Sequence, residues 1–224
     1  MGTKYNPSIV RNGLVFCVDP ANLASYSGSG LTVYGLVSGI GGTLVNGIGL
    51  SSQNSGSFFF DGTNDYFLAS DDSKINLLSD LSATVWFKIN ALNGDWVRVL
   101  GKGDDTNRTY GFWYYGGSPN YFLYQRYGTN SGGAIVTTTL QLNVWYHAAV
   151  TSEGSTHRLY LNGSEIGNVT ITPPFYNSSS PFKLGYGEIA SYHNGNISHT
   201  TVYNRALTAQ EVLQNYNATK KRYI

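Results

Sequence analysis

One segment near the middle of the chain is rich in aromatic residues. Trp113, Tyr115 and Tyr124 offer flat apolar rings, and Asn107 and Arg108 precede them with hydrogen-bonding groups. Exposed rings beside such groups suit sugar rings and protein interfaces alike. The alternation puts Trp113 and Tyr115 on one strand face, but it does not decide which face is outward. We predict a ligand site at these five residues, with exposed rings at Trp113, Tyr115 and Tyr124, while at least half of the segment's rings form core.

Two acidic loops hold oxygen atoms that suit a cation. One loop contains Asp104, Asp105 and Asn107, and the other contains Asp61 and Asp65. Hard cations take carboxylate and carbonyl oxygens from loops, so calcium is the candidate ion at either place. The alternative is that these side chains close turns by accepting hydrogen bonds from the backbone two residues further on.

The acidic residues lack the arrangement needed to hydrolyse a glycosidic bond. Such enzymes use two carboxyl groups about 5–10 Å apart, which on one strand requires acidic residues at alternating positions. The glutamates are instead scattered, at Glu153, Glu165, Glu188 and Glu211. His147 sits in a strand-like segment and not in the strand–turn–helix context of a nucleophile elbow. We therefore predict no catalytic residues and no enzyme activity.

Charge and cysteine content exclude further classes of protein. The 224 residues include 14 Lys and Arg against 13 Asp and Glu, and 12% of residues are charged. A nucleic-acid-binding protein needs a basic stripe, so nucleic acid is not an expected partner. Cys17 is the one cysteine, which excludes an intramolecular disulfide framework. The 41% hydrophobic and 14% aromatic residues are enough for a packed core rather than a disordered chain.

The N-terminal residues show no secretion signal. Residues 1–7 contain no apolar run that resembles the core of a signal peptide, so we expect no export by that route. The sequence also lacks a run of 18 apolar residues, and we expect no membrane insertion.

Short strand-like segments recur along the chain and are separated by Gly, Asn, Ser and Asp clusters, which is typical of an all-β sandwich. The segments are 14–18, 57–60, 66–68, 81–90, 96–100, 110–115, 121–127, 134–140, 145–151, 158–161, 165–171, 182–186 and 197–203. The dipeptide Asn162-Gly163 predicts a tight hairpin turn. Thr208 and Glu211 form a capping-box pattern that predicts one short C-terminal helix. Open sheets leave bare faces, so we expect two sheets packed on each other.

The alternation in 81–90 is the clearest of these patterns and indicates one face directed to the core. The core predicted from all segments comprises Leu14, Phe16, Phe58, Phe60, Val85, Phe87, Trp145, Leu159 and Leu161.

Five motifs in order resemble those of concanavalin A-like (laminin G-like) jelly rolls. Residues 57–66 resemble the "F-D-G-x-x-D-Y" strand and turn, and residues 81–87 resemble the "F-T-V-E-x-W-F" strand. Residues 143–150 are similar to the "W-Y-H-V-A-x-T" strand, and 158–163 to the "x-L-Y-V-N-G" hairpin. Residues 203–211 resemble the closing "Y-N-R-A-L-S-x-E-E" motif.

The resemblance implies a concanavalin A-like β-sandwich (jelly roll) of two antiparallel sheets with a short C-terminal helix. No repeat, linker or change of composition divides the sequence. We therefore expect a single domain over residues 1–224, with its core at about 12–219.

A narrower resemblance concerns the two ends of the chain. Residues 12–22 and 25–30 resemble the opening of laminin G-like proteins in tailed-bacteriophage virions, and 215–220 are similar to their ending. This implies a non-catalytic virion surface protein, located on the capsid or the tail. Its expected partners are other virion proteins and polysaccharides of the host surface. The alternative is a free-standing carbohydrate-binding lectin of a bacterium or eukaryote.

Overall fold

The described residues form two antiparallel sheets and one C-terminal α-helix. The computed structural model describes residues 8–53, 56–92, 96–104, 106–118, 121–128, 133–186 and 191–224. The predicted class is therefore confirmed: the chain is mostly β, with a sandwich of two sheets and one short helix. The strands and the helix, in chain order, are β1 Leu14–Val18, β2 Thr32–Val33, β3 Gly42–Val45, β4 Gly49–Ser51, β5 Ser57–Asp61, β6 Tyr66–Ala69, β7 Leu81–Ile89, β8 Trp96–Gly103, β9 Arg108–Tyr115, β10 Phe122–Arg126, β11 Gly133–Thr137, β12 Trp145–Glu153, β13 Thr156–Leu161, β14 Ser164–Thr170, β15 Phe182–Leu184, β16 Asn194–Tyr203 and α1 Ala209–Thr219.

Sheet A has the strand order β14-β13-β12-β7-β16-β5-β4, and β1 also pairs with β16. Sheet B has the order β11-β10-β9-β8-β15-β6-β3-β2. Neighbouring strands in each sheet are often distant in sequence, as β15 is from both β8 and β6. The sheets therefore bring together side chains that no local pattern links.

The main core lies between the sheets and follows the alternation of the strands. In β7, the inward side chains of Leu81, Ala83, Val85, Phe87 and Ile89 are all fully buried. The predicted core is confirmed for seven of its nine residues, which are buried. Leu14 and Leu161 are only partly buried, because they pack at the margins of the two apolar clusters.

The outer face of sheet A is covered by the C-terminal segment. Trp86 points outward from β7, yet its ring stacks on Tyr223 at 4.2 Å and on Tyr216 at 5.8 Å between ring centroids. Its indole N–H donates to Thr219 Oγ1 over 2.8 Å. Trp145 packs on the same Tyr223 ring at 4.8 Å, so its burial lies outside the main core.

Two local sequence signals are confirmed by the backbone. Asn162 and Gly163 form the turn between β13 and β14 with φ of +52° and +83°, a conformation that glycine and asparagine tolerate best. Thr208 Oγ1 accepts from the Glu211 amide, and the Glu211 carboxylate accepts from the Thr208 amide, which completes the capping box. No helix in the described part of the chain is long and apolar enough to span a bilayer.

Glu211 makes the stability of the fold depend on pH. Two hydrogen bonds from Arg205, of 2.9 and 2.6 Å, lower the pKa of this carboxyl from 4.5 to about 2. A carboxyl whose pKa is lowered by folding stabilises the fold above its unfolded pKa, and this contribution is lost as the pH falls towards the folded value. We expect Glu211→Gln to remove that part of the pH dependence between about 4.5 and 2.

Urea unfolding of both proteins at pH 7 and pH 2.5, followed by circular dichroism, checks this expectation. At pH 7 the variant should lose about 1 kcal/mol of unfolding free energy, since it also loses part of the helix cap. Equal losses at the two pH values would contradict the assigned role of the carboxylate.

Candidate functional site

Three aromatic rings form an exposed group on the outer face of sheet B, which we call the open aromatic cluster: Trp96, Tyr115 and Tyr121. Trp96 is 36% exposed and Tyr121 is 45% exposed, while Tyr115 is half-buried between them. Ring centroids are 5.3 Å apart for Trp96 and Tyr115, and 6.1 Å apart for Tyr115 and Tyr121. Rings at these distances contact one another and leave their remaining faces open to solvent.

The strand register explains why these rings gather. Trp96 opens β8 and lies directly across from Tyr115, the last residue of β9. The amide of Tyr115 donates to the carbonyl of Tyr121 over 3.1 Å. The neighbours Val97 and Tyr114 belong to the buried core, so alternation sends Trp96 and Tyr115 to the opposite, outer face.

A second aromatic group, the tyrosine pocket, lies on the same face. It is a depression of about 240 Å³ lined by Tyr66, Leu68, Pro181, Lys183, Tyr186 and Tyr192. The Tyr186 ring lies 5.2 Å from that of Tyr66 and 5.3 Å from that of Tyr192. The ammonium of Lys183 sits 4.4 Å from the centre of the Tyr186 ring, at cation–π distance.

The tyrosine pocket and the open aromatic cluster lie towards the same end of sheet B. Lys183 in β15 pairs with Leu68 of β6 on one side and with Gly101 of β8 on the other. Because β15 and β8 are antiparallel, the chain after β15 runs towards Trp96, at the start of β8. Five successive strands, β10-β9-β8-β15-β6, thus carry one aromatic face.

The prediction that Trp113 and Tyr124 are exposed is wrong. Trp113 does point to the outer face, but it is only 1% exposed. The guanidinium groups of Arg98 and Arg108 lie 5.2 and 5.0 Å from its ring centre and cover it. Its ring also lies over Gly111, where a Cβ atom would come within 2.6 Å of a ring carbon.

Tyr124 occupies the opposite face of β10 and belongs to the core. It pairs with Phe112, and its ring lies 6.0 Å from that of Phe112 and 5.8 Å from that of His157. Burial raises the pKa of its hydroxyl to about 12. Of the three rings predicted to be exposed, only Tyr115 is part of an exposed group.

Asn107 and Arg108 are not beside that group. Arg108 begins β9 and Tyr115 ends it, so the strand separates them by about 23 Å. The Arg108 guanidinium bonds Gln125 and stacks between the rings of Trp113 and Tyr127. The Asn107 amide donates to Thr106 within its own loop. These contacts stabilise the far end of the sheet.

The carboxylate of Asp104 accepts hydrogen bonds from its own loop and from the loop that contains Ser178 and Ser180. One carboxylate oxygen accepts from the amides of Thr106 and Asn107 and from the Thr106 hydroxyl, and the other accepts from Ser178 and Ser180. These hydrogen bonds hold the pKa of Asp104 well below its usual range despite partial burial. The carboxylate therefore bridges two loops. Asp105 lies outside the described residues.

The Asp61–Asp65 loop is likewise a hydrogen-bonded turn. Asp61 accepts from the amide of Thr63, and Asp65 accepts from the amide of Asp61. Burial raises the pKa of Asp65, which disfavours its charged form. Within the described ranges, no three His, Cys, Asp or Glu side chains come together in a way that could hold a metal ion.

The histidines and Cys17 are buried and electrically neutral. Burial lowers the pKa of His147 to about 3 and those of His157 and His193 to about 4. The Sγ atom of Cys17 lies 3.9 Å from Nε2 of His199, but burial raises the pKa of the thiol to about 12. A thiol with that pKa is protonated at neutral pH and is a poor nucleophile.

The exposed and partly exposed rings outside the predicted site were missed because they come from distant parts of the chain. Trp96, Tyr66 and Tyr121 each lie at or beside the start of a strand, and Tyr186 and Tyr192 follow or precede one. The sequence signal that could have found them is an aromatic residue next to a core residue in the same strand, because neighbouring side chains of a strand point to opposite faces. Tyr66 beside the buried Phe67 is an example.

The sequence matches a known protein family. The family described as the concanavalin A-like lectin/glucanases superfamily matches residues 61–213, which is more than half of the chain. A comparison with curated protein sequences gives no match.

Solved structures share the fold at low sequence identity. The binding domain of Paraclostridial Mosquitocidal Protein 1 matches with a TM-score of 0.74 and 16% identity, covering 92% of this chain and 52% of that one. The binding domain of Botulinum Neurotoxin DC in complex with SialylT matches at 0.73 and 12%, covering 92% and 51%. Trypanosoma rangeli sialidase in complex with the inhibitor DANA matches at 0.72 and 15%, covering 93% and 33%. This chain thus spans about half of the toxin structures and a third of the sialidase.

The structure predicts that Trp113 supports the fold. Trp113→Ala removes a buried ring and the contacts that two guanidinium groups make with it, so it should lower the unfolding free energy by about 3 kcal/mol or more. Tyr121→Ala, at an exposed ring of the same sheet, should change it by about 0.5 kcal/mol or less. Urea denaturation of both variants checks the contrast. A Trp113→Ala variant as stable as the parent would show that the ring is not part of the packed structure.

Proposed function

We propose that this chain, which belongs to the concanavalin A-like lectin/glucanases superfamily, binds carbohydrate on the outer face of sheet B and does not transform it. The open aromatic cluster carries the proposal. Its rings are held by strand register, and each tyrosine adds a hydroxyl at the edge of the apolar surface. Apolar ring faces with polar edges match the alternating C–H and O–H surfaces of a sugar ring.

The extent of the aromatic face favours an oligosaccharide over a single sugar. The rings from Tyr121 to Tyr66 occur on five adjacent strands, which at about 4.8 Å per strand spacing span about 19 Å. An extended chain of sugars lying across the strands would contact both the open aromatic cluster and the tyrosine pocket. The toxin binding domain whose structure holds SialylT is a neighbour in fold that supports a glycan as ligand.

Several observations support binding without catalysis. The histidines have lowered pKa values and lie in the interior, and Cys17 is a buried protonated thiol. The carboxylates of Asp104 and Glu211 are engaged in structural hydrogen bonds. The sialidase likeness has 15% identity and extends to the fold alone.

A glycan-binding test separates the open aromatic cluster from the rest of the surface. Trp96→Ala and Tyr121→Ala should each weaken retention on immobilised bacterial polysaccharides about three- to tenfold, since each removes one stacking ring. Tyr34→Ala is the matched control, because Tyr34 is 62% exposed and follows β2 at the far edge of sheet B. Affinity electrophoresis across a polysaccharide panel measures the effect.

Two outcomes of that test would overturn the proposal. The first is a parent protein that no polysaccharide in the panel retains, or variants that are retained as well as the parent. The second is sustained release of reducing sugar during the incubations, which would show catalysis.

The location we propose is the surface of a tailed-bacteriophage particle, on the capsid or the tail. The support is the resemblance of residues 12–22, 25–30 and 215–220 to laminin G-like virion proteins. A particle would carry many copies, and multiple attachment raises the avidity of weak individual sites. The alternative is a free-standing lectin.

Mass spectrometry of purified particles from the phage that encodes the chain tests this location. We expect its peptides at the abundance of a repeated structural protein. Their absence from intact particles, with the chain present in the infected-cell lysate, would favour the free-standing lectin.

A further inference from the structure

We propose that two copies of this chain form a symmetric dimer in which α1 of one copy packs antiparallel against α1 of the other. The contact surface, which we call the helix face, lies on the outer side of sheet A and comprises Gln210, Leu213, Asn217 and Lys220 with Glu153 and Glu165 at its edge. The inference does not depend on the proposed glycan binding. The dimer would leave the outer face of sheet B uncovered in both copies.

The helix face is the side of α1 that turns towards the β13–β14 hairpin. A Cβ atom on Gly163, in the turn of that hairpin, would come within 2.9 Å of Cδ1 of Leu213. The described part of the N-terminal segment lies on the other side of the helix. There the Gln214 side chain donates to the carbonyl of Ser8 over 2.8 Å. The helix face and the N-terminal segment thus occupy opposite sides of α1.

The exposed side of α1 lacks the charges that a surface helix normally carries. Glu211 is the one charged residue of α1, and its carboxylate pairs with Arg205 at 2.6 Å. The side chains directed away from the sheet include Gln210 and Asn217, which are neutral, and Leu213, which is 43% exposed. Surface helices usually place charged residues on this side. A centre without charges is instead typical of interfaces between identical subunits.

Charges of opposite sign lie at the two ends of the helix face. A depression of about 310 Å³ beside the start of α1 is bordered by Glu153, Arg158 and Glu165. Arg158 pairs with Glu165 at 3.7 Å, whereas the exposed Glu153 makes no ion pair with any described residue. Lys220 and Lys221 follow the last turn of α1, and the described part of the chain gives neither of them an ion-pair partner. One end is therefore acidic and the other basic.

An antiparallel pair of helices brings these opposite ends together. A helix of 11 residues is about 16 Å long, and Leu213 lies near its middle. A two-fold axis close to Leu213 would place the acidic end of each copy against the partner's Lys220. The same contact would then form twice, as in most dimers of identical chains. Antiparallel helices also set the positive end of each helix dipole beside the negative end of the other.

Reversing the charges at each end tests this arrangement. The first variant carries Glu153→Lys and Glu165→Lys, and the second carries Lys220→Glu and Lys221→Glu. In sedimentation velocity over about 1 to 100 µM protein, the parent should form dimers, and each variant alone should dimerise about tenfold more weakly. An equimolar mixture of the two variants should recover dimers, because acidic ends again meet basic ends. Circular dichroism checks that each variant is folded.

A substitution at the centre of the helix face tests the apolar contact. Leu213→Ser should weaken the dimer about tenfold, since it removes the exposed leucine next to the two-fold axis. Leu23→Ser is the matched control, because Leu23 is 80% exposed and lies in the segment before β2, away from α1. The control variant should dimerise as well as the parent. An equal loss in both variants would show that the helix face is not the contact surface.

The remaining outcomes each decide the inference. A parent protein that stays monomeric over the whole concentration range would overturn it and leave the proposed glycan binding intact. Dimers that persist in every variant, or folded charge variants that do not associate when mixed, would also overturn it. If a charge variant does not fold, the parent alone provides the test. Its dimer should dissociate about tenfold more readily when salt rises from about 0.05 to 0.5 M, and an unchanged dimer would contradict the charged ends.

Discussion

The alternation of side chains along each strand is the constraint on which the rest of this structure depends. In β7 it sends Val85 and Phe87 into the core between the sheets and sends Thr84 and Trp86 to the outer face of sheet A. Two sheets have four faces, and two of them are used to form the core. The outer face of sheet A is then covered in part by the C-terminal segment, through the stacking of Tyr223 on Trp86 and the bidentate pairing of Arg222 with Asp19. The outer face of sheet B is where the structure presents clustered rings.

Arginine and glycine decide which rings on that face reach solvent. Trp113 and Trp96 both point outward from sheet B, yet one is buried and the other is exposed. The Trp113 ring lies over Gly111, and two guanidinium groups cover it. Trp96, at the start of its strand, packs at tilted angles against Tyr115 and Tyr121 in the open aromatic cluster and remains 36% exposed. Burial on this face is therefore set by neighbours across the strands.

This explains how far the sequence could predict the structure. The long strands, the Asn162-Gly163 turn and the capping box at Thr208 depend on local patterns, and they were predicted with nearly correct bounds. Strands β2, β3 and β4 were missed because they have two to four residues and lie among glycines and serines, too short for a period to show. Of the residues predicted to bind a ligand, only Tyr115 lies in the open aromatic cluster. The contacts of Trp113 with Arg98, and of Tyr66 with Tyr186, join residues that are far apart in the chain.

The pairing register between distant strands, which the sequence does not reveal, also makes the aromatic face suitable for binding. The β-ladder pairing of Trp96 with Tyr115 fixes the backbone beneath these rings before a ligand arrives, so less of the contact energy is spent on ordering the site. The face is nevertheless shallow, and each ring contributes only about 1 kcal/mol, which limits a single contact to weak affinity. Since the rings lie on adjacent strands in one rigid sheet, a ligand that extends across them adds contacts without a new ordering cost. A repeating polymer is the kind of ligand that gains most from such a surface, because a shift by one repeat presents an equivalent group to every ring.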